Sequence, residues 1–134
     1  MIEMELNKIV INEKRHDQLI VLKEKGGDRL LPIVIGLNEA SAIKMKIGGF
    51  DPPRPLTHDL LHSTIKNLEA KLEKIVIHKL EENTFYAKLV IKTEKGETKS
   101  VDARPSDSIA LAVRANVPIF VDEGVLKQTE VFNK

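Results

Sequence analysis

Apolar and polar residues alternate clearly in the second half of the chain, where Phe85, Ala87, Leu89 and Ile91 interleave with Tyr86, Lys88 and Lys92. That period of two predicts a strand with one buried and one wet face. The segment opens on KIVI at Lys74, and the same four residues stand 66 positions earlier, at Lys8. Each copy continues into a hairpin, turning at Gly26-Gly27 in one and Lys95-Gly96 in the other, and then into a helix over about residues 39–47 or 107–115. Asn38 and Ser106 are favourable N-caps, each followed by an acid, Glu39 or Asp107. The repeats run over about residues 6–49 and 72–117. Between them Pro52, Pro53 and Pro55 preclude regular structure, and Thr57 then opens a linking helix over about residues 57–72 with an apolar stripe of Leu61, Ile65, Leu68 and Leu72. VPIFV reads as a last strand, followed by a short helix over about residues 122–128. The pattern predicts an α+β fold in one domain, residues 1–134: duplicated strand-strand-strand-helix units forming a mostly antiparallel curved sheet or partly open barrel, flanked by helices.

Composition narrows the function more than the fold. Twenty-one Lys and Arg against 20 Asp and Glu leave a formal charge of +1, so any nucleic-acid contact is local, weak and non-specific. With no cysteine, a disulfide scaffold, a thiol nucleophile and cysteine-ligated metal centres are excluded. Glu3 and Glu5 interrupt any apolar leader, and the apolar run over residues 30–37 is broken by Pro32 and Gly36. No secretion signal or membrane span is expected, and the location is read as cytoplasmic. Lys44, Lys46, Lys66 and Lys71 read as solvated helix faces, and the phenylalanines and Tyr86 as core.

The repeat serves as an internal control for chemistry, because two copies of one plan need the same core but not the same polar residues. Before the first helix stands PIVIG and before the second VDARP, so Asp102 lies opposite Val34 and Arg104 opposite Gly36. If Val101 and Ala103 point inward, Asp102 and Arg104 share the other face. A guanidinium beside a helix N-terminus is suited to a phosphate, and Asp102 or Asp107 would then orient a water or hold a divalent cation. The alternative is an ion pair that stiffens the corner. RPLTHDL repeats the grammar with Arg54, His58 and Asp59, and His58 adds an acid or base near neutral pH. His62 lies one turn further on the same face, but HExxH is not completed. His16 and His78 carry no supporting pattern.

LPIVIGLNEASAI, RPLTHDL, FYAKL and VDARPSDSIALAVR followed by PIFV, in this order and spacing, resemble the bifunctional nuclease domain family. The resemblance covers about residues 30–127. It implies an α+β fold with a duplicated core and cleavage of both DNA and RNA without strong base preference. The family's polar signature falls on Glu39, Arg54, His58, Asp59, Asp102, Arg104, Ser106 and Asp107. On this footing Arg54, Arg104 and Ser106 would bind phosphate. His58 or a carboxylate would activate water or protonate the leaving oxygen, with Glu39, Asp59, Asp102 and Asp107 in support. A divalent cation is allowed by this set, with no ligands assigned. Two rival expectations stand beside hydrolysis: a non-catalytic module binding an anion, a nucleotide or a protein, and an oligomer, a homodimer favoured, burying the stripe from Leu61 to Leu72.

Overall fold

Each alternating segment folds into a three-stranded antiparallel meander that ends in a helix. In the computed structural model, which describes residues 1–12, 14 and 17–132, the first unit is β1 (Ile2–Val10), β2 (Gln18–Glu24), β3 (Leu30–Ile35) and α1 (Leu37–Ile47). After α2 (Thr57–Asn67) comes the second: β4 (Lys71–Glu81), β5 (Thr84–Lys92), β6 (Thr98–Ala103) and α3 (Pro105–Ala115), followed by β7 (Ile119–Val121) and α4 (Glu123–Phe132). The strands form one sheet in the order β3-β2-β1-β7-β4-β5-β6, curled into a half-barrel. β7 is antiparallel to β1 and parallel to β4, so the two meanders run in opposite senses on either side of it.

The correspondence between the units extends to irregularities. The β1–β2 register shifts between Leu6 and Lys8, and the β4–β5 register between Leu72 and Lys74, in both cases just before KIVI. A bulge bends its strand and increases local twist, which suits a sheet that must curl. Gly26 (φ +78°) and Gly96 (φ +86°) take the left-handed conformation in the β2–β3 and β5–β6 turns, where a Cβ would be strained.

The inward face carries Ile20, Leu22, Leu31 and Ile33 from the first meander and Ile75, Ile77, Ala87 and Leu89 from the second, all buried. Against it pack Ala40 and Ile43 of α1, Ile109 to Ala112 of α3, and Val125 and Leu126 of α4. Each such aliphatic side chain contributes roughly 1.5–3 kcal/mol on full burial.

Several boundaries differ from the sequence expectation. The N-caps are Gly36, Leu56 and Arg104, which moves Thr57 to the first helical position and Asn38 and Ser106 to the second. Pro105 at the first position of α3 brings a preset φ and loses no needed donor. α2 stops at Asn67, five residues short of the expected end, because the chain reverses through Leu68 and Glu69 (φ +63°). Leu72 therefore belongs to β4, as does Lys71, and the expected stripe does not exist: Ile65 is buried, while Leu68 is 75% exposed. β1 begins at Ile2 and α4 runs on to Phe132. Phe50 is 55% and Tyr86 36% exposed, so neither is a core residue. His16 lies outside the described residues. Among the described residues no helix is long and apolar enough to cross a membrane.

Candidate active site at the junction of three helices

α1, α2 and α3 each carry an acid at the third helical position: Glu39, Asp59 and Asp107. That position is favourable because the carboxylate faces the positive end of the helix dipole and can reach back to the N-cap amide. Asp59 does so, its Oδ2 accepting from the Leu56 N–H at 2.9 Å. Asp107 turns elsewhere. Its Oδ1 lies 3.0 Å from His58 Nε2, and its Oδ2 accepts from Arg104 Nε at 2.9 Å. Arg104 Nη2 then donates to Glu39 Oε1 at 2.8 Å. A single hydrogen-bonded chain, His58–Asp107–Arg104–Glu39, thus joins the first turns of three helices.

This chain lines a cleft of about 670 Å³, with Asn38, Ser41, Leu56 and Thr57 on its walls. Gly36 makes room for one end of it: a Cβ there would lie 2.6 Å from Glu39 Oε2. Burial works to raise the Asp107 carboxyl, but the bonds from Arg104 and His58 prevail and hold it below the usual carboxylate range. Asp107 and then Glu39 stabilise the Arg104 cation and push its pKa up. An ionised Asp107 only accepts, so His58 donates to it from Nε2, and in the neutral form of the ring the lone pair is then on Nδ1. The His58 side chain is 11% exposed and Arg104 68%, so the imidazole is held while one edge of the guanidinium stays open to water.

A second network lies behind the first. Arg114, near the end of α3 and 5% exposed, donates from Nε to Asp59 Oδ1 at 2.8 Å and from Nη2 to the Ala42 carbonyl of α1 at 3.2 Å. Burial works to raise Asp59, but the Leu56 amide and Arg114 bring its carboxyl below the ordinary range. Arg114 escaped the sequence reasoning. Its signal was available: it stands seven residues after Asp107, on the same helical face, ending an otherwise apolar run.

The remaining sequence candidates lie apart from the chain. Asp102 sits on the edge strand β6 opposite Lys88, exposed, and does not share a functional face with Arg104, which has left the strand as the N-cap of α3. Val101 and Ala103 do face inward, opposite Leu89 and Ala87, although Val101 at the sheet edge stays 43% exposed. Arg54 is exposed in the proline loop, adjoining the cleft through Pro55. Ser106 is buried and lines a neighbouring hollow with Gly36 and Phe85. His62 is separate from His58's partner Asp107, and burial, then Lys66, lowers its pKa. Among the described residues no three His, Asp or Glu side chains group as a metal cage requires. Arg104 also holds one oxygen of each of Glu39 and Asp107, and the other oxygen of Asp107 is bonded to His58.

The model of the bifunctional nuclease domain matches residues 20–134, and the chain is a member of that family. It is 44% identical over 126 residues to an uncharacterized protein of Mycobacterium tuberculosis, covering 94% of this chain and 74% of that protein. It is 30% identical over 114 residues to Bifunctional nuclease 2 of Oryza sativa subsp. japonica, and 24% identical over 110 residues to Bifunctional nuclease 1 of Arabidopsis thaliana. Those two alignments cover 83% and 81% of this chain, which spans only about a third of either plant protein (35% and 34%).

Proposed function

We propose that the chain hydrolyses phosphodiester bonds of DNA and RNA at the three-helix junction, without strong sequence preference. The observation that carries this is the bond between His58 and Asp107 on the wall of a cleft whose rim holds the exposed edge of Arg104. Asp107 accepts from Nε2, so the neutral imidazole carries its lone pair on Nδ1, the form in which a histidine takes a proton from water. As that proton moves to Nδ1, the water oxygen bonds to phosphorus and the bond to the leaving oxygen breaks. The imidazolium, or a solvent water, returns a proton to the leaving oxygen. Arg104 faces the charge that develops on the non-bridging oxygens, with Arg54 a second cation at the rim. Glu39 positions Arg104, and Asp59 positions the turn bearing His58. Asp102 has no part in this step. Membership of the family and likeness to proteins named bifunctional nucleases support the proposal.

A non-catalytic binding module, for an anion, a nucleotide or a protein, is the second reading, favoured by one observation: His58, Asp107, Arg104 and Glu39 bond to one another, which already accounts for them as a fastening of three helices. Protein free of host nucleases, assayed on supercoiled plasmid and on RNA with magnesium, manganese or chelator, separates the two. His58→Gln and Asp107→Asn should each lower cleavage about 100-fold or more while the circular dichroism stays native. Equal cleavage by wild type and both variants would identify a contaminant and overturn hydrolysis. Nucleotide binding without turnover would favour the module.

A further inference from the structure

The outer face of the β4-β5-β6 half brings lysines and aromatic rings together. Since Ile75, Ile77, Ala87 and Leu89 point toward the helices, the ladder positions between them point away. There Lys74 stands opposite Val90, Lys88 opposite Val76, and Lys71 directly opposite Lys92. Val76 (2% exposed) and Val90 (7%) form an apolar floor beneath the lysine stems. Two rings flank it: Phe120, cross-strand from Val76, and Tyr86, cross-strand from Lys79. Lys74 Nζ lies 5.4 Å from the Phe120 ring centre and Lys79 Nζ 4.9 Å from that of Tyr86.

The carboxylates on this face are few and peripheral. Glu81 is occupied by Lys79 at 2.7 Å. Glu3, cross-strand from Phe120, is occupied by Lys25 at 3.1 Å. Asp102 stands at the sheet edge, cross-strand from Lys88, and Glu73 is in the β4 bulge. Two lysines placed directly opposite each other repel, a cost that the fold does not require of this pair and that a polyanion lying across them would remove.

We propose that this face binds a single nucleic-acid strand, its bases on Tyr86 and Phe120 and its phosphates on Lys71, Lys74, Lys88 and Lys92. An apolar floor with rings and a border of ammonium groups matches bases and phosphates together, whereas a purely acidic partner would leave the rings unused. Because the outside of a half-barrel is convex, a stiff duplex touches it over a short arc, while a flexible single strand can follow it. The inference rests on nucleic acid being this chain's substrate, but binding can be read without cleavage.

The test is fluorescence anisotropy of labelled single-stranded DNA and RNA of about 12 nucleotides with the full chain in chelator, in a His58→Gln background to suppress turnover. Lys74→Glu with Lys88→Glu should weaken binding at least about tenfold by removing two phosphate contacts, and Tyr86→Ala at least about fivefold. Phe120→Leu, which keeps bulk over the floor, should act like Tyr86→Ala. Raising salt from about 50 to about 200 mM should cost roughly 20- to 50-fold if three or four phosphates are held. Unchanged affinity in the lysine variants overturns the proposal, as does duplex binding as tight as single-strand binding. Loss in the lysine variants with none in Tyr86→Ala or Phe120→Leu reduces the face to a polyanion patch and also overturns it. Cleavage of a dinucleotide, too short to reach this face, is read separately on chains with native His58. Its absence with strand binding intact would sink hydrolysis and leave this inference standing.

Discussion

Replacing Arg114 with methionine should destabilise the fold strongly. The methionine keeps most of the apolar stem but removes the cation that holds Asp59 at 2.8 Å and the Ala42 carbonyl at 3.2 Å. Breaking a fully buried pair by deleting one partner costs about 3–5 kcal/mol. Here the guanidinium is 5% exposed but Asp59 is 32% exposed, so water partly replaces the lost partner and about 2–3 kcal/mol is expected. At roughly 3–5 °C per kcal/mol for a chain of this size, Tm should fall by about 6–15 °C. Urea unfolding of wild type, Arg114→Met, Asp59→Asn and the double variant closes a thermodynamic cycle. A coupling of about 1–3 kcal/mol is expected. A single-variant loss below about 0.5 kcal/mol, or a coupling near zero, would refute the claim that this pair fastens α2 to α3.

Further outcomes follow from the same geometry. Asp59 and Asp107 both have carboxyl pKa values below their unfolded ones, so the stability they add is complete above about pH 4–5 and disappears as pH falls through the folded values. Urea midpoints measured from pH 7 down to 3 should therefore drop in acid, and Asp107→Asn should flatten that drop. Gly36→Ala meets only the end of the Glu39 side chain, so stability should change by less than about 0.5 kcal/mol, but a crystal structure should show Glu39 displaced from Arg104. Ile43→Ala, at a site with no exposure in α1, should cost about 2–5 kcal/mol by chemical denaturation, and a smaller loss would mean that the α1 contact collapses to fill the space.

The alternation through Phe85 to Ile91 was enough to orient β5, because a strand half-buried on a sheet writes its faces directly into sequence. The order of strands and helices was legible for the same reason, down to the helices α1 and α3 that follow the two meanders. The linking helix was extended too far because Leu68 and Leu72 kept a helical spacing, whereas the chain reverses at Glu69, a residue type that gives no turn signal. At the site, His58 and Asp107 were named, but their meeting depends on how α2 lies across α3, which no local pattern records. The contrast between copies drew attention to Asp102 as well as Arg104. Only the second joins the chain, since an unmatched polar residue on an edge strand is equally well explained by solvent. Asp107 was read both as an acid that starts a helix, with Glu39 as its counterpart, and as a candidate site residue, and in the fold both acids hold Arg104. Arg114 was overlooked because a cation in the last turn of a helix already has an ordinary explanation.

Glycine at position 36 and arginine at position 104 have a consequence for what the cleft can recognise. Glu39 and Asp107 come from matching places in two units that run in opposite senses, so the two acids taken alone would be equivalent. The single guanidinium removes that equivalence: it belongs to one unit, and the space for the carboxylate it grasps is left by the missing side chain of the other. The cleft thereby acquires a head and a tail. Its hydrogen-bonded chain ends in an imidazole from α2 on one side and a carboxylate from α1 on the other, so the asymmetry comes from the lone linking helix as well as from two residues that differ between the matching halves.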